Sequence, residues 1–124
     1  MQLINSPDIG LETLLDLDGS IIEQEGGYWI KIEVRPVPAS EHAHHGIRYS
    51  LTLHDKYGAR VLGYDNAHAV KPPKKYKFAG QRWSYDHRHR SPSDMGVPYA
   101  FESAHRLMEN FFAEVDRVIK EAQQ

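Results

Sequence analysis

The sequence predicts an α+β fold: a twisted antiparallel sheet of about five strands with a long C-terminal amphipathic helix packed on one face. Two patterns carry this prediction. Polar and apolar residues alternate with a period of two in several stretches between residues 20 and 65, which is typical of half-buried strands. Towards the C-terminus the apolar residues recur instead with the 3.6-residue period of a helix. With 124 residues, 40% of them hydrophobic, residues 1–124 are expected to form a single domain.

Turn residues separate the stretches that we expect to be strands. Gly26 and Gly27 suit a tight hairpin turn, because glycine adopts positive φ without steric cost. The segment Asp55-Lys56-Tyr57-Gly58 is typical of a β-turn in which the glycine takes the left-handed conformation. The strands predicted on this basis span residues 20–25, 28–35, 47–54, 59–65 and 81–87.

The C-terminal part of the chain predicts one long helix. From Phe101 to Ala122 the apolar residues form a stripe wide enough to cover one side of the sheet. Pro98 is expected to mark the start of this helix. A second, short helix is predicted near residues 9–16.

The composition excludes several classes of protein. Cysteine is absent, so the chain has no disulfide framework, cysteine zinc ribbon or thiol nucleophile. No apolar run approaches the ~18 residues that a membrane span needs, and the first ten residues lack the basic and apolar regions of a secretory signal. These features favour a cytoplasmic protein with no membrane partner.

Charge is distributed unevenly along the chain. Residues 1–30 contain six acids and no lysine or arginine, whereas residues 71–90 contain four lysines, three arginines and one aspartate. Aromatic residues stand between these basic residues, and the combination suits phosphates and unpaired bases. The alternative is a solvated basic loop whose aromatic residues belong to the core. The residues expected to bind nucleic acid are Lys71, Lys74, Lys75, Lys77, Arg82, Trp83 and Tyr85, together with Tyr64 and Asn66.

Two polar clusters stand where predicted strands give way to loops: Asp65-Asn66-Ala67-His68 and Asp86-His87-Arg88-His89-Arg90. Histidine titrates near neutral pH and therefore serves as a general acid or base. Arginine offers a fixed charge and a bidentate fork for phosphate. If the second cluster were extended, its two histidines would share one face and its two arginines the other. A salt-bridged surface strand is the alternative interpretation.

The remaining histidines are not expected to have a catalytic or metal-binding role. The tract His42-Ala43-His44-His45 lacks a carboxylate or cysteine at ligand spacing, so we interpret it as a loop. His54 and His105 are interpreted as ordinary surface residues of a strand and a helix. No metal or cofactor is therefore expected.

The pair of motifs GYDNAH and YDHRHR, in this order, resembles the TumE-type toxins of bacterial toxin–antitoxin systems. The resemblance covers about residues 14–121. It implies a small bacterial toxin that acts on RNA and is encoded beside a helix-turn-helix antitoxin. The other segments that carry the resemblance are LLDLDGSIIEQEGGYWIKIEVR, GIRYSLTLHDKYG, RVLGYDNAHAVK, PYAF and LMENFFAEVDRV.

Combined with this role, the residues suggest a metal-independent endoribonuclease in which the ribose 2′-OH attacks its own phosphate. Such an enzyme must supply a base, an acid and a cation. Either His87 or His68 would be the base and His89 the acid. Arg88, Arg90 or Lys71 would stabilise the developing charge, and Asp65 and Asp86 would each orient an imidazole.

Two other functions remain open at this point. The first is a metal-dependent nuclease, although the neighbouring arginines would oppose a dication. The second is a non-catalytic RNA- or protein-binding module whose toxicity comes from occupancy. The residues that would hold Mn²⁺, Zn²⁺ or Mg²⁺ in the first case are Asp65, Asn66, His68, Asp86, His87 and His89.

Overall fold

The computed structural model describes residues 10–40, 43, 45–66, 87–89 and 97–123. In these parts of the chain six strands form one antiparallel sheet in sequence order, and two helices share a core with it. This confirms the α+β prediction, with one strand more than the five expected. The strands are β1 (Ile21–Glu23), β2 (Trp29–Pro36), β3 (Ile47–His54), β4 (Arg60–Asp65), β5 (His87–His89) and β6 (Val97–Pro98), and the helices are α1 (Leu11–Asp16) and α2 (Ala104–Ala122).

One face of the sheet is apolar and packs against the helices. Every second residue of β3 is buried, and the same alternation in β2 buries three aliphatic side chains. The buried side chains of α2, which recur at helical spacing, pack against this face and complete the core. The core residues are Leu14, Ile30, Ile32, Val34, Ile47, Tyr49, Leu51, Leu53, Leu62, Tyr64, Ala104, Leu107, Phe111, Val115 and Ile119.

The opposite face of the sheet, which we call the outer face, is polar. Because residues paired in antiparallel strands lie on the same face, the register defines rows that run across the strands. One row pairs Arg35 with Arg48. The next contains Glu33, Ser50, Asp65 and His87, and the third contains Lys31, Thr52, Gly63 and His89.

The glycines of both turns have the predicted conformation, but the first turn is longer than the tight hairpin turn expected. Gly26 and Gly27 have φ of 74° and 83°, and Gly58 has φ of 91°, so all three occupy the positive-φ region. A short 3-10 helix, Glu25–Gly27, lies between β1 and β2, and residues 24–28 connect these strands. The side chain of Asp55 stabilises the second turn, since its Oδ1 accepts hydrogen bonds from the backbone N–H groups of Tyr57 and Ala59 at 2.9 and 3.0 Å. These turns set the register of β1 with β2 and of β3 with β4.

The long helix begins later than the sequence pattern suggests. Its N-cap is Ser103, whose hydroxyl accepts a hydrogen bond from the backbone N–H of Arg106 at 3.1 Å. Pro98 belongs to β6, and Phe101 lies outside the helix, where its ring stacks on that of His45 with centroids 3.7 Å apart. A serine cap overrides an apolar periodicity at the helix boundary, because it satisfies a backbone donor that the helix leaves open.

The other described boundaries lie within two residues of the expectations, with β1 ending at Glu23 instead of residue 25. Helix α1 lies inside the predicted range 9–16. Residues 81–86 of the predicted fifth strand lie outside the described residues, and β5 begins at His87. Of the two described helices, neither is long and apolar enough to cross a membrane.

Candidate functional site

Pairing of β4 with β5 brings together the two polar clusters of the sequence. Asp65 lies opposite His87, Tyr64 opposite Arg88 and Gly63 opposite His89. Directly opposed residues of antiparallel strands have Cα atoms about 4.5–5.5 Å apart. The end of the Asp65 cluster and the start of the His87 cluster therefore lie next to each other on the sheet, and we call this place the β4–β5 site.

The register also assigns faces to these positions. His87 and His89 occupy outer-face positions in the rows of Asp65 and Gly63, whereas Arg88 occupies a position on the helix-facing side beside Tyr64. The prediction that an extended strand would give the two histidines one shared face fits this backbone arrangement. The other residues predicted for the site lie outside the described residues: His68, Lys71, Lys74, Lys75, Lys77, Arg82, Trp83, Tyr85, Asp86 and Arg90.

Asp65 ends β4 at the border of the site. It is 9% exposed, and its cross-strand neighbours are Ser50 on one side and His87 on the other. A carboxylate with this little solvent must be held by polar neighbours, because an isolated buried charge is costly. Asp65 is therefore a carboxylate of low exposure directly opposite a histidine position of the neighbouring strand.

Asn66 is fully buried and is hydrogen bonded to β3 through its side chain. Its Oδ1 accepts from the backbone N–H of Tyr49 at 3.0 Å, and its Nδ2 donates to the backbone carbonyl of Ile47 at 2.8 Å. The carbonyl of Asn66 accepts from Nη1 of Arg48 at 2.9 Å. In this arrangement the asparagine fastens the end of β4 to β3, and thereby holds Asp65 in place.

Replacing Asn66 with alanine is expected to destabilise the fold, because it leaves a buried donor and a buried acceptor of β3 without their partner. Each such group costs about 1–3 kcal/mol. The midpoint of urea unfolding measures the loss. The matched control is Gln24→Ala, since the Gln24 side chain only contacts the adjacent carbonyl of Glu23 at an exposed position. Equal midpoints for the two variants would contradict this account.

Tyr64 anchors the same end of β4 to α2. Its hydroxyl donates to Oε1 of Glu114 at 2.5 Å, and Nη2 of Arg117 donates to Oε2 of that carboxylate at 2.5 Å. Tyr64 is 4% exposed and Glu114 7% exposed, so the hydrogen bonds form where little water competes. A pocket of about 400 Å³ opens beside these residues and is also lined by Asn110. The network fixes the strand that carries Asp65 against the helix.

Sequence reasoning did not find Glu114, although a signal for it exists. Glu114 falls within the apolar stripe of α2, next to Val115 and three residues after Phe111, both of which are buried. A charged residue on the apolar face of a helix requires a polar partner, because burying an unpaired charge is costly. The tyrosines on the apolar faces of the predicted strands, Tyr49 and Tyr64, are the candidate partners, and in the structure the partner is Tyr64.

The outer face also carries a pair formed by Trp29 and His54, of which His54 was interpreted from the sequence as an ordinary surface residue. The rings of Trp29 and His54 stack with centroids 4.1 Å apart and an interplanar angle of 11°. Nε2 of His54 lies 2.9 Å from the hydroxyl of Thr52, and Nδ1 lies 3.2 Å from the carbonyl of Gly58. His54 is thus fixed by neighbours on three sides, and period-2 alternation already placed it and Trp29 on one face.

In the described part of the chain, no three side chains of histidine, aspartate or glutamate lie together in an arrangement that would hold a metal ion. His68 and Asp86, which complete the ligand set of the metal-dependent alternative, are outside that part.

The fold and the β4–β5 site define a small α+β protein with a polar, histidine-containing site on an antiparallel sheet. A family model described as Toxin TumE matches residues 17–119, which is most of the chain. The chain therefore belongs to the TumE toxin family, as the resemblance in sequence implied. The family indicates a toxin of a toxin–antitoxin module and, with it, an antitoxin as partner. Comparisons with curated proteins and with solved structures gave no match.

Proposed function

We propose that this toxin is a metal-independent endoribonuclease whose active site lies at the paired ends of β4 and β5. The observation that supports the proposal is the register, in which Asp65 is the cross-strand neighbour of His87, and Gly63 that of His89. Two histidine positions two residues apart on one face, beside a carboxylate, supply the groups that acid–base cleavage of RNA needs. The proposal assigns the reaction to the cytoplasm.

The reaction is a transfer of the phosphoryl group within the RNA. A base, His87 or His68, takes the proton of the ribose 2′-OH as that oxygen forms a bond to the adjacent phosphorus. The bond from phosphorus to the 5′-oxygen of the next nucleotide breaks, and His89 gives that oxygen a proton. The products are a 2′,3′-cyclic phosphate and a 5′-hydroxyl end.

Charge and orientation come from the neighbouring residues. Arg88, Arg90 or Lys71 stabilises the negative charge that develops on the phosphorane, which is commonly the largest contribution to catalysis. Asp65 accepts the second N–H of an imidazole and so fixes which nitrogen faces the substrate, and Asp86 does the same for the second histidine. In this scheme Tyr64 and Asn66 act by positioning Asp65, as their buried contacts indicate.

The basic segment, residues 71–90, is proposed to hold the RNA. Its lysines and Arg82 would bind phosphates, and Trp83 and Tyr85 would stack on unpaired bases. Because each phosphate contact releases counterions, RNA binding through this segment falls as salt rises. The lysines concerned are Lys71, Lys74, Lys75 and Lys77.

The proposal is tested with a pair of oligonucleotides of the same sequence. Purified toxin is expected to cleave the single-stranded RNA, and to leave intact a version with one 2′-deoxy nucleotide at the cleaved position, because the attacking oxygen is missing there. Gel analysis of end-labelled strands measures both. Adding the cognate antitoxin should stop cleavage of the all-RNA strand, which controls for contaminating ribonuclease. Cleavage of both oligonucleotides at the same bond would contradict the proposed attack by the 2′-OH.

The antitoxin is proposed to be a helix-turn-helix protein, encoded by a neighbouring gene, that covers the basic segment. A partner with acidic and apolar residues would complement the lysines and aromatic residues of this segment. Hydrogen exchange measured by mass spectrometry is expected to slow in residues 71–90 of the toxin when the antitoxin binds. Protection confined to the acidic residues 1–30 would instead indicate inhibition from a distance.

A further inference from the structure

We propose that Arg60 is a further catalytic residue of the β4–β5 site, where its guanidinium stabilises the negative charge that develops on the phosphorane. The inference rests on the proposed function, because it adds one residue to the same reaction. Arg60 begins β4, and it was not among the residues predicted for the site. Three observations support the inference: a bulge in β4, a glycine beneath the arginine side chain, and the face on which Arg88 is placed.

The bulge brings Arg60 to the outer face. Along β4, Leu62 pairs with Leu53 of β3. The next pair is Arg60 with His54, so Val61 is an extra residue in the strand. Strict alternation would put Arg60 on the buried side with Leu62, because residues two apart in a strand share a face. The bulge places it instead on the face of its partner His54, and bulges next to active sites commonly change the direction of a side chain in this way.

The side chain of Arg60 lies across Gly63. A Cβ atom at Gly63 would be 3.3 Å from Cδ and 3.8 Å from Nε of Arg60, and 3.5 Å from Cγ2 of Thr52. Gly63 is buried although it lies on the polar face, and Nε of Arg60 is buried as well. The arginine is therefore packed on the surface of the sheet, in space that a side chain at position 63 would otherwise fill.

This packing brings Arg60 beside the proposed general acid. Gly63 is the residue of β4 directly opposite His89, and the Cα atoms of such a pair are about 4.5–5.5 Å apart. Two residues further along β4 on the same face, Asp65 lies opposite His87. The arginine and both histidine positions thus lie along one stretch of the outer face. A phosphate bound between the two histidines lies next to this stretch.

Arg88, which the sequence suggested as a cation for the phosphorane, has the opposite placement. Its position is beside Tyr64 on the helix-facing side, whereas both histidines occupy outer-face positions. The other two suggested cations, Lys71 and Arg90, lie outside the described residues. Arg60 therefore supplies a guanidinium on the face where the proposed reaction takes place.

The role requires directed N–H donors and does not require an unpaired charge. A guanidinium carries five N–H groups in a planar fork. A carboxylate that binds one side of the fork, such as an acid on the same face, leaves the N–H groups of the other side for a phosphate oxygen. Such a neighbour also holds the fork in position, and donors that are fixed before the reaction stabilise the transition state most effectively.

The test measures single-turnover cleavage of an end-labelled single-stranded RNA by three variants of the full chain: Arg60→Gln, Arg60→Lys and Lys31→Gln. Lys31 is the matched control, because it is a cation in the same row of the outer face but three strands away from His89. It forms an ion pair with Glu33 at 3.8 Å. RNA with a 2′-deoxy nucleotide at the cleaved position measures affinity without cleavage, and the midpoint of urea unfolding measures stability.

Arg60→Gln is expected to lower kcat by about 10²–10³-fold, the effect of removing one donor that stabilises charge in a transition state. Its affinity for the uncleavable RNA should stay close to that of the wild type. Arg60→Lys should keep part of the activity, because lysine retains the charge but lacks the fork. Lys31→Gln should leave kcat unchanged. Arg60→Lys also retains an aliphatic stem over Gly63, and it gives the same comparison if Arg60→Gln lowers the urea midpoint.

A variant of the glycine tests the geometry while Arg60 is still present. Gly63 has an ordinary strand backbone, so Gly63→Ala causes no backbone strain, but its Cβ requires the Arg60 side chain to move by a few tenths of an ångström. We expect Gly63→Ala to lower kcat by a smaller factor than Arg60→Gln. In the double variant it should cause no further loss, because both changes act through one side chain.

Four outcomes would overturn the inference. If Arg60→Gln cleaves as fast as Lys31→Gln and the wild type, Arg60 is not catalytic while the proposed function stands. If Arg60→Gln weakens binding of the uncleavable RNA and leaves kcat unchanged, the arginine serves binding alone. If Gly63→Ala lowers kcat equally with and without Arg60, the glycine acts on another group. If the wild-type toxin cleaves no RNA, the proposed function and this inference fail together.

Discussion

Replacing His87 with alanine is expected to lower the rate of RNA cleavage by about 10²–10⁴-fold, because a positioned acid or base contributes a factor of that size. His89→Ala is expected to do the same, and His68→Ala to have a smaller effect. All three variants should stay folded and bind RNA with an affinity close to that of the wild type. Growth inhibition on expression should be lost together with cleavage for the first two.

The matched control is His105→Ala. His105 is an exposed histidine of α2, and its Nε2 lies 3.5 Å from Oε2 of Glu109. Its removal changes the histidine count without touching the β4–β5 site, so cleavage and binding should both remain. If His87→Ala instead weakens RNA binding in proportion to activity, the histidine serves binding, and the non-catalytic interpretation is favoured.

The main features of the fold were predictable because two periodicities are strong in this sequence. The alternation in residues 47–54 identified β3 with its bounds and its buried face. The start of α2 was wrong because Phe101 continues the apolar spacing, while the cap is made by Ser103 two residues later. The period of the apolar residues indicates which side chains are buried, but it does not indicate at which residue the helix begins.

The candidate site was predictable in its residue types and only partly in its arrangement. The sequence indicated that His87 and His89 would share a face if extended, since strand alternation is local. That Asp65 lies opposite His87 depends on the register between β4 and β5, which are 21 residues apart in sequence. Register over such a distance is set by packing and turns, so alternation alone does not reveal it.

Polar residues at a strand end raise a related problem. Asn66 and Tyr64 were expected to bind RNA, and the structure shows both of them buried, with hydrogen bonds to β3 and to Glu114. An asparagine or tyrosine that hydrogen bonds to a neighbouring strand or helix is the same residue type as one that binds a ligand, so the residue type alone does not distinguish the two roles. The same applies to the pairing of Arg35 with Arg48, which only the register makes apparent.

Cleavage by the purified toxin is expected to continue in EDTA, because the proposed acid–base reaction needs no metal. The rate should follow a bell-shaped dependence on pH near neutrality, since one group must be unprotonated and the other protonated at the same time. Activity is measured on a labelled RNA after dialysis against EDTA, over a series of buffers. A set of parallel reactions supplied with Mn²⁺ or Mg²⁺ is the control.

The ends of the products decide between the two chemistries, because they record which oxygen attacked the phosphorus. Attack by the ribose leaves a 2′,3′-cyclic phosphate, and mass spectrometry distinguishes this end from a 3′-hydroxyl. Loss of activity in EDTA, rescue by Mn²⁺ and products with 3′-hydroxyl ends would instead indicate that His87 and His89 bind a metal ion that activates water. If no RNA is cleaved with or without metal, the site assignment fails, and the toxin acts by binding alone.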